Sequence, residues 1–250
     1  MSGAMHLTGT EDSAMRSYYP WVDYGTATLC ALGTMAAIMS RRETGEGQHV
    51  QGSLLATALT NANSTLIEQA LAQPNRVATG NRGQINAPSD CFKTKDGEIV
   101  CIAIGEIMHK RWADLMGEES WLTDPRFKDD AARAEHGEII SERMQAWCAE
   151  RTTEQALAEL EAARLPAATI LSPQEALDNA HIREVGFMKD VEYPGIAKPA
   201  PIIDTPVSLS QTPGGIHRRP PQLGEHNEEI LTELGYDAAA VARFREAEAI

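Results

Sequence analysis

The sequence predicts an α/β protein in which helical segments outnumber strands and no internal repeat is present. Three observations support this class. An apolar segment closed by a charged, glycine-containing turn predicts a long buried helix over residues 24–41. Two short β-type runs flank Lys95-Asp96-Gly97, a sequence typical of a tight hairpin. Helical periodicity then dominates residues 108–163.

A polar segment precedes the long helix. Residues 1–17 are rich in Gly, Thr and Ser, and this composition predicts a loop. Asp23 stands just before the apolar segment, where a carboxylate can cap the helix by accepting hydrogen bonds from the amides of Gly25 or Thr26. Its negative charge also suits the positive end of the helix dipole.

The end of the long helix is marked by charge and by glycine. Arg41 and Arg42 fall in its last turn, where positive charge is favourable, and Gly45 can adopt the left-handed conformation that ends a helix. Weak alternation then predicts a short strand over residues 48–54. A mixed apolar pattern predicts a second helix over residues 54–71.

The middle of the chain follows a break at Pro74. Residues 74–89 are poor in large apolar side chains and rich in Gly, Asn and Arg, which predicts a loop and a domain boundary. Strands are predicted on both sides of the hairpin turn, at residues 91–93 and 98–104. Helices are predicted at about 108–116, 131–149 and 153–163, the last one capped by Thr152 or Thr153.

The last part of the chain is predicted to be mostly extended and then helical. Residues 168–171 predict a buried strand, and Pro173 predicts the start of a short helix. Residues 187–209 contain four prolines and predict a strand, a loop and a second strand. Two short helices, at about 225–234 and 238–248, are predicted to end the chain.

Composition and charge restrict the function. The chain is 42% hydrophobic and 23% charged, as in globular proteins, and its net charge of −14 argues against nucleic acid or an anionic membrane as a partner. The four cysteines are scattered and the seven histidines show no metal-ligand spacing, which predicts free thiols, no metal and a cytoplasmic location. No signal-peptide pattern is present, and the apolar run 27–39 is judged too short to span a bilayer.

The long helix belongs to a larger pattern. Asp23 is followed by the helix and then by Arg-x-x-Thr-Gly-x-Gly-Gln at residues 41–48. This pattern resembles the family III CoA-transferases, the CaiB/BaiF group, whose members include formyl-CoA transferase and alpha-methylacyl-CoA racemase. The segments 121–127 (WLTDPRF) and 221–226 (PQLGEH) also resemble family sequences. The resemblance extends, in order, over nearly all of the chain.

The resemblance implies a site and a reaction. In the transferases the Asp at this position is the covalent nucleophile, which would make Asp23 the catalytic residue. The loop containing Gly80, Arg82, Gly83 and Gln84 is similar in position to a glycine-containing loop over the active site, so these four are candidate substrate-binding residues. The run of consecutive glycines found in formyl-CoA transferases is absent, which argues against oxalate or formate. The implied partners are acyl-CoA and a carboxylic acid, with CoA as a substrate and no resident cofactor.

The resemblance also implies an organisation. Family chains usually carry a Rossmann-like N-terminal portion that makes most CoA contacts, whereas this sequence begins shortly before Asp23. We therefore expect the family III fold without most of that portion and with a smaller α+β domain inserted. The expected large-domain parts are residues 1–75 and 195–250, with the small domain at 76–194. An interlocked homodimer, or a partner chain that supplies the N-terminal portion, is the expected assembly.

Two other functions are compatible with the sequence. A 2-methylacyl-CoA racemase or epimerase would use Asp23 in proton transfer at Cα, and Glu106 is one position away from the racemase pattern. A truncated non-catalytic fragment, or one subunit of a split enzyme, would bind a partner chain. Local sequence alone also leaves Asp23 a purely structural role, because a helix cap and a nucleophile occupy the same kind of place.

Overall fold

The structure, a computed structural model, describes all 250 residues, and the chain divides into two units, Met1–Ile170 and Leu171–Ile250. Both units combine helices with small antiparallel sheets, which confirms the predicted α/β class. The finer division into parts 1–75, 76–194 and 195–250 stays a prediction.

The first unit begins with regular structure where the sequence predicts only a loop. A 3-10 helix, Ala4–Leu7, leads into a hairpin of β1 (Gly9–Thr10) and β2 (Ser13–Ala14). Gly9 has a φ of 119°, and a Cβ there would collide with the carbonyl oxygen of Ser13. The turn therefore requires glycine at this position.

Helix α1, Trp21–Thr44, begins earlier than the sequence predicts. Because it starts directly after Pro20, Asp23 lies within its first turn and not at the capping position. The predicted cap is wrong: the amides of Gly25 and Thr26 lie inside the helix, where they donate to backbone carbonyls one turn earlier. Asp23 accepts no hydrogen bond from them.

Helix α1 ends at Gly45 as the sequence predicts, but the helix is longer than predicted. Gly45 has a φ of 76°, and its amide donates to the carbonyl of Arg41. With 24 residues and a mean hydropathy of 1.2 over its most apolar window, α1 is long and apolar enough to cross a membrane. The prediction that the apolar run 27–39 is too short to span a bilayer is wrong, because the helix extends by more than one turn beyond each end of that run. One such helix is weak evidence for a span, since core helices of soluble proteins share these properties.

The segment after α1 forms no strand, so the prediction for residues 48–54 is wrong. Ser53 instead caps helix α2, Leu54–Asn61, and its side-chain oxygen accepts a hydrogen bond from the amide of Ala56 at 3.3 Å. A serine that ends an alternating run is thus better explained as a helix cap.

The second predicted helix is divided in two at Ala62. Its amide donates to carbonyls in the last turn of α2, and the chain continues as α3, Asn63–Ala72. The hydroxyls of Thr26 and Thr57 are hydrogen-bonded at 2.8 Å and join α1 to α2. Helices α1 and α2 are therefore joined by a polar contact.

A three-stranded antiparallel sheet forms the centre of the remainder of this unit. Strands β3 (Ser89–Lys93) and β4 (Glu98–Ile102) form the predicted hairpin. The third strand, β5 (Ala167–Thr169), pairs with β4, so β4 is the central strand of the sheet.

Four α-helices accompany this sheet: α4 (Glu106–Met116), α5 (Asp130–Glu135), α6 (Gly137–Ala149) and α7 (Thr153–Ala162). Two short 3-10 helices, Glu119–Leu122 and Pro125–Phe127, connect α4 to α5. Thr152 caps α7 in a capping box with Gln155, which confirms one of the two predicted caps. The helix predicted over 131–149 is interrupted at His136.

The hydrophobic core lies between the sheet and these helices. Its fully buried side chains include Phe92, Ile99, Trp112, Phe127, Ile140, Met144 and Leu160. Helix α1 has no buried residue, and Leu32 and Met39 on it are 66% and 64% exposed. The chain thus covers its sheet well and leaves its longest helix largely uncovered.

The second unit contains the predicted strand pair and four helices, one helix more than the sequence predicts. Its elements are α8 (Pro173–Asp178), α9 (Ala180–Val185), β6 (Met188–Val191), β7 (Ala200–Ile203), α10 (Asn227–Glu233) and α11 (Ala238–Glu246). β6 and β7 are antiparallel. An Arg219–Glu225 salt bridge of 2.5 Å holds the turn before α10.

Candidate functional site

Asp23 presents its carboxylate to solvent at the start of α1. The side chain is exposed and takes part in no salt bridge or side-chain hydrogen bond within the chain. The first-turn amides of a helix lack partners in the helical ladder, and the helix dipole stabilises negative charge there. The carboxylate is therefore accessible to a ligand, as a nucleophile must be.

Asp23 lies in the wall of a cavity of about 430 Å³. His6 and Arg16 line the same cavity, together with neighbouring residues of segments 1–5 and 17–22. A guanidinium in such a cavity can bind an anionic oxygen, whether of a carboxylate or of a developing oxyanion. The cavity thus combines an exposed carboxylate with a guanidinium and an imidazole.

Sequence reasoning did not identify His6 or Arg16. Both belong to the stretch predicted as loop, and neither belongs to a recognisable motif. The 3-10 helix and the hairpin are what place them beside Asp23. The one local signal in the sequence was Gly9, because a glycine in a polar segment is typical of a tight turn, and the structure shows a positive φ there.

A second cavity, of about 500 Å³, adjoins the first. The residues that line both cavities are Ser2, Gly3, Ala4, His6 and Trp21. The far wall of the second cavity is formed by α3, the end of α2 and the segment after α3, with Asn61, Ala62, Thr65, Leu66, Glu68, Gln69, Pro74, Asn75 and Arg76. Asp23 does not line it.

The predicted glycine loop is held in place by its backbone. The amide of Gly80 donates to the carbonyl of Gly9 at 2.6 Å, and the amide of Gly83 donates to the carbonyl of Ser89 at 2.6 Å. A Cβ at Gly83 would lie 2.7 Å from the Ser89 side chain. The loop is therefore anchored at both ends and does not have the bonding pattern of a free linker.

The side chains of the loop are in part already engaged. Gln84 donates to the Val77 carbonyl at 2.6 Å, and its own carbonyl accepts from Arg76 at 3.1 Å. Arg76 also forms a two-pronged salt bridge with Glu68, with N–O distances of 2.8 and 2.6 Å. The hydrogen bond from Arg76 lowers the pKa of Glu68 and raises that of Arg76. Arg82 makes no salt bridge, so it is the cation of this loop that remains available.

The structure does not bring the loop residues into the cavity of Asp23. None of Gly80, Arg82, Gly83 and Gln84 lines that cavity. The connection is indirect: Gly80 is bonded to the hairpin that lies between His6 and Arg16 in the chain. The roles assigned to the four loop residues and to Asp23 stay predictions.

Glu106, the residue that the racemase alternative would need, is tied into a structural ion cluster. The buried Arg133 donates to Glu106 at 3.0 Å, to Asp130 at 2.8 Å and to the Phe127 carbonyl at 2.8 Å. His109 lies beside this cluster, and burial lowers its pKa. These contacts explain Glu106 and Arg133 as supports of the fold.

Comparison with known proteins identifies the family. The sequence model of CoA-transferase family III matches residues 1–227. The chain belongs to CoA-transferase family III. Similar proteins of this family include an acyl-CoA transferase of Fusarium pseudograminearum, 30% identical over 98% of this chain and 54% of the relative. A succinyl-CoA–D-citramalate CoA-transferase of Chloroflexus aurantiacus is 32% identical over 94% of this chain and 58% of its own length.

Solved structures support the same fold. A CAIB/BAIF family protein from Brucella suis superimposes with a TM-score of 0.74 at 21% identity, over 93% of this chain and 60% of the other. Rv3272 from Mycobacterium tuberculosis also gives a TM-score of 0.74 at 21% identity, over 90% and 60%. This confirms the predicted CaiB/BaiF fold. The family III chain described here spans between about half and three-fifths of the length of these relatives.

Proposed function

We propose that this family III chain carries the nucleophile of a CoA-transferase, and that the nucleophile is Asp23. The observation that supports this most directly is an exposed carboxylate in the wall of a cavity at a helix N-terminus. Family membership gives the reaction class, and the geometry gives the residue a way to reach a ligand. A carboxylate sealed inside packing would have excluded the role.

The reaction proceeds by acyl transfer through the aspartate. The Asp23 carboxylate attacks the thioester carbonyl, and the CoA thiolate leaves, giving a mixed anhydride. The thiolate then attacks the aspartyl carbonyl and releases the donor acid, which leaves an aspartyl-CoA thioester. The acceptor carboxylate attacks this thioester, and the thiolate returns to the acceptor acyl group. Acyl-CoA forms, the Asp23 carboxylate is restored, and no redox cofactor or metal is consumed.

The remaining roles follow from charge and position. Arg16 lines the cavity and would hold the carboxylate of the acid, because a guanidinium binds carboxylates with paired hydrogen bonds. Gly80, Arg82, Gly83 and Gln84 remain candidates for binding the substrate. CoA enters as a substrate, the partners are acyl-CoA and a carboxylic acid, and the setting is cytoplasmic. A homodimer or an N-terminal partner chain would complete the site.

Chemical trapping tests the nucleophile. The chain, alone or co-expressed with a partner that completes the family length, is mixed with acyl-CoA and then treated with hydroxylamine. Mass spectrometry should find a hydroxamate on Asp23, because hydroxylamine attacks an activated aspartyl carbonyl. Asp23→Asn should lower CoA transfer by at least about 10³-fold, in line with the loss of a covalent nucleophile.

Asp12 provides the matched control, since it is exposed in the β1–β2 turn and does not line the cavity. Asp12→Asn should leave both labelling and transfer unchanged. Transfer that proceeds normally with an unlabelled Asp23 would show that the nucleophile lies elsewhere.

The alternatives have distinct readouts. A racemase would exchange the Cα proton of a 2-methylacyl-CoA for deuterium without exchanging its acid, but Glu106 is occupied by Arg133. A non-catalytic fragment would neither bind CoA nor gain activity from any partner chain. A subunit of a split enzyme would gain activity when a partner that completes the family length is added.

A further inference from the structure

We propose that the second cavity binds the apolar acyl group of the substrate, and thereby selects acids with an uncharged tail. This inference rests on the proposed function, because it places the acyl carbonyl beside Asp23. The cavity of about 500 Å³ falls within the range of about 300–1,000 Å³ typical of small-molecule sites.

The position of the cavity suits an acyl tail. It adjoins the cavity of Asp23, because Ser2, Gly3, Ala4, His6 and Trp21 line both cavities. Trp21 lies two residues before Asp23 on the same helix turn. A ligand with its carboxyl group next to Asp23 and Arg16 therefore has this cavity as the adjoining space for its chain.

Most polar side chains of the far wall already have hydrogen-bond partners within the chain. Arg76 and Glu68 form their two-pronged salt bridge. Gln69 donates to the Asn75 side chain at 3.0 Å and accepts from the Asn75 amide at 3.1 Å. Asn61 donates to the Thr57 carbonyl at 2.9 Å. These pairs leave little unused hydrogen-bonding capacity for a polar ligand.

The remaining wall is mostly apolar or small, and Ser2, His6 and Thr65 also line it. Leu7, Trp21, Ala62, Leu66 and Pro74 line the cavity between the paired groups. A second carboxylate in this space would meet Glu68, whose charge repels it, and an Arg76 that already has an acid partner. An uncharged tail meets neither penalty and gains from burial against the apolar side chains.

Isothermal titration of the intact chain with two probes tests the proposal. Octanoate and octanedioate have the same length and differ in a second carboxylate at the far end. We expect octanoate to bind with one equivalent per chain and octanedioate to bind at least tenfold more weakly. Equal or tighter binding of octanedioate would overturn the proposal.

Two matched variants locate the binding site. Ala62→Leu adds bulk to the wall of the cavity, whereas Ala70→Leu makes the same change at an exposed position of α3 that does not line it. Octanoate affinity should fall at least tenfold in the first and stay unchanged in the second. Thr65→Leu, also in the wall, replaces Ala62→Leu if that variant does not fold.

Equal effects of the wall variant and Ala70→Leu would overturn the proposal, as would a folded chain, verified by circular dichroism, that does not bind octanoate. The binding test requires no thioester chemistry. It can therefore fail while hydroxylamine still labels Asp23, or succeed while labelling fails, so the two proposals are tested separately.

Discussion

Arg133 is the charged residue most completely removed from water in this chain, with 0% exposure. Its guanidinium is held by Glu106, Asp130 and the Phe127 carbonyl, and its Nε has no partner. The two carboxylates reach the surface, so the cluster connects the core to solvent through charge-assisted hydrogen bonds. We infer that it fixes the connection between α4 and α5.

Replacing Arg133 should destabilise the fold more than replacing its exposed partner. Arg133→Met should lower the free energy of unfolding by about 1.5–3 kcal/mol, the usual contribution of hydrogen bonds to charged groups. Glu106→Gln should change it by less than about 1 kcal/mol, because that side chain is 69% exposed. Urea denaturation measures both, and equal losses would contradict the buried-anchor interpretation.

His109 should make the stability of the first unit sensitive to acid. Its ring is 3% exposed and packs between Trp112 and Phe127, facing Arg133, Glu106 and Asp130. Burial, followed by the charge of Arg133, lowers the pKa of His109. The unfolded chain then binds a proton more readily, so stability is fully present above the ordinary pKa of about 6.5 and is lost as the pH falls below it.

A variant without the imidazole should show a flatter pH profile. His109→Phe should reduce the loss of unfolding free energy between pH 7.5 and pH 5, measured by urea denaturation. His226, half-buried and beside Glu229 in the second unit, gives the control variant His226→Phe, which should leave the slope of the first unit unchanged. A slope that His109→Phe leaves intact would assign the acid sensitivity to other groups.

At the scale of elements, helix ends show which local signals are reliable. Thr152 and Gly45 act as the sequence predicts because each works through bonds within a few residues of itself. The capping prediction for Asp23 fails because Pro20, with its fixed φ, already sets the start of α1. Ala62 divides α2 from α3 without any breaker residue, so that interruption was not readable from the sequence.

The capping box of α7 provides a direct test at this scale. Thr152→Ala should lower the free energy of unfolding by about 1 kcal/mol, because the amide of Gln155 loses its partner. Thr60→Ala is the control, since that exposed hydroxyl bonds only within its own helix. Urea denaturation should show little change for the control. Equal losses of unfolding free energy in the two variants would show that the Thr152 cap contributes no more than an ordinary helix hydroxyl.

The glycine loop should be sensitive to a single methyl group. Gly83→Ala should cost about 1–3 kcal/mol, the typical penalty of overpacking, because the new Cβ would crowd Ser89 and disturb the bond between their backbones. Gly47→Ala is the control, since nothing lies within 4 Å of its added Cβ. Thermal unfolding compares the two, together with limited proteolysis of the loop. A Gly83→Ala protein as stable and as resistant as the control would refute the anchored loop.

At the scale of the whole molecule, sequence reasoning located most elements but not the walls of the cavities. The strands around the Asp-Gly turn and the C-terminal helices follow local patterns, and the structure confirms them. The cavities depend on contacts between residues 1–17 and helices α1 to α3. Hydrophobic periodicity does not predict such contacts, so only the structure shows that His6 and Arg16 line the cavity of Asp23.

The exposed apolar surface of α1 should make the isolated chain associate with itself. Leu32 and Met35 are 66% and 58% exposed, together with other apolar side chains of the same helix. Replacing both by Ser should shift the chain towards monomer in concentration-dependent light scattering. Leu71→Ser, at an 83% exposed position of α3, should have a smaller effect. Association that survives the double change would exclude this surface as its cause.

The first residues of the chain have a practical consequence for how the protein is handled. Met1 and its neighbours line the cavity of Asp23, and Met1 is fully exposed. An affinity tag joined to Met1 would place foreign residues at the mouth of that cavity and obstruct titrations and labelling alike. Measurements on this protein are therefore best made after such a tag has been cleaved.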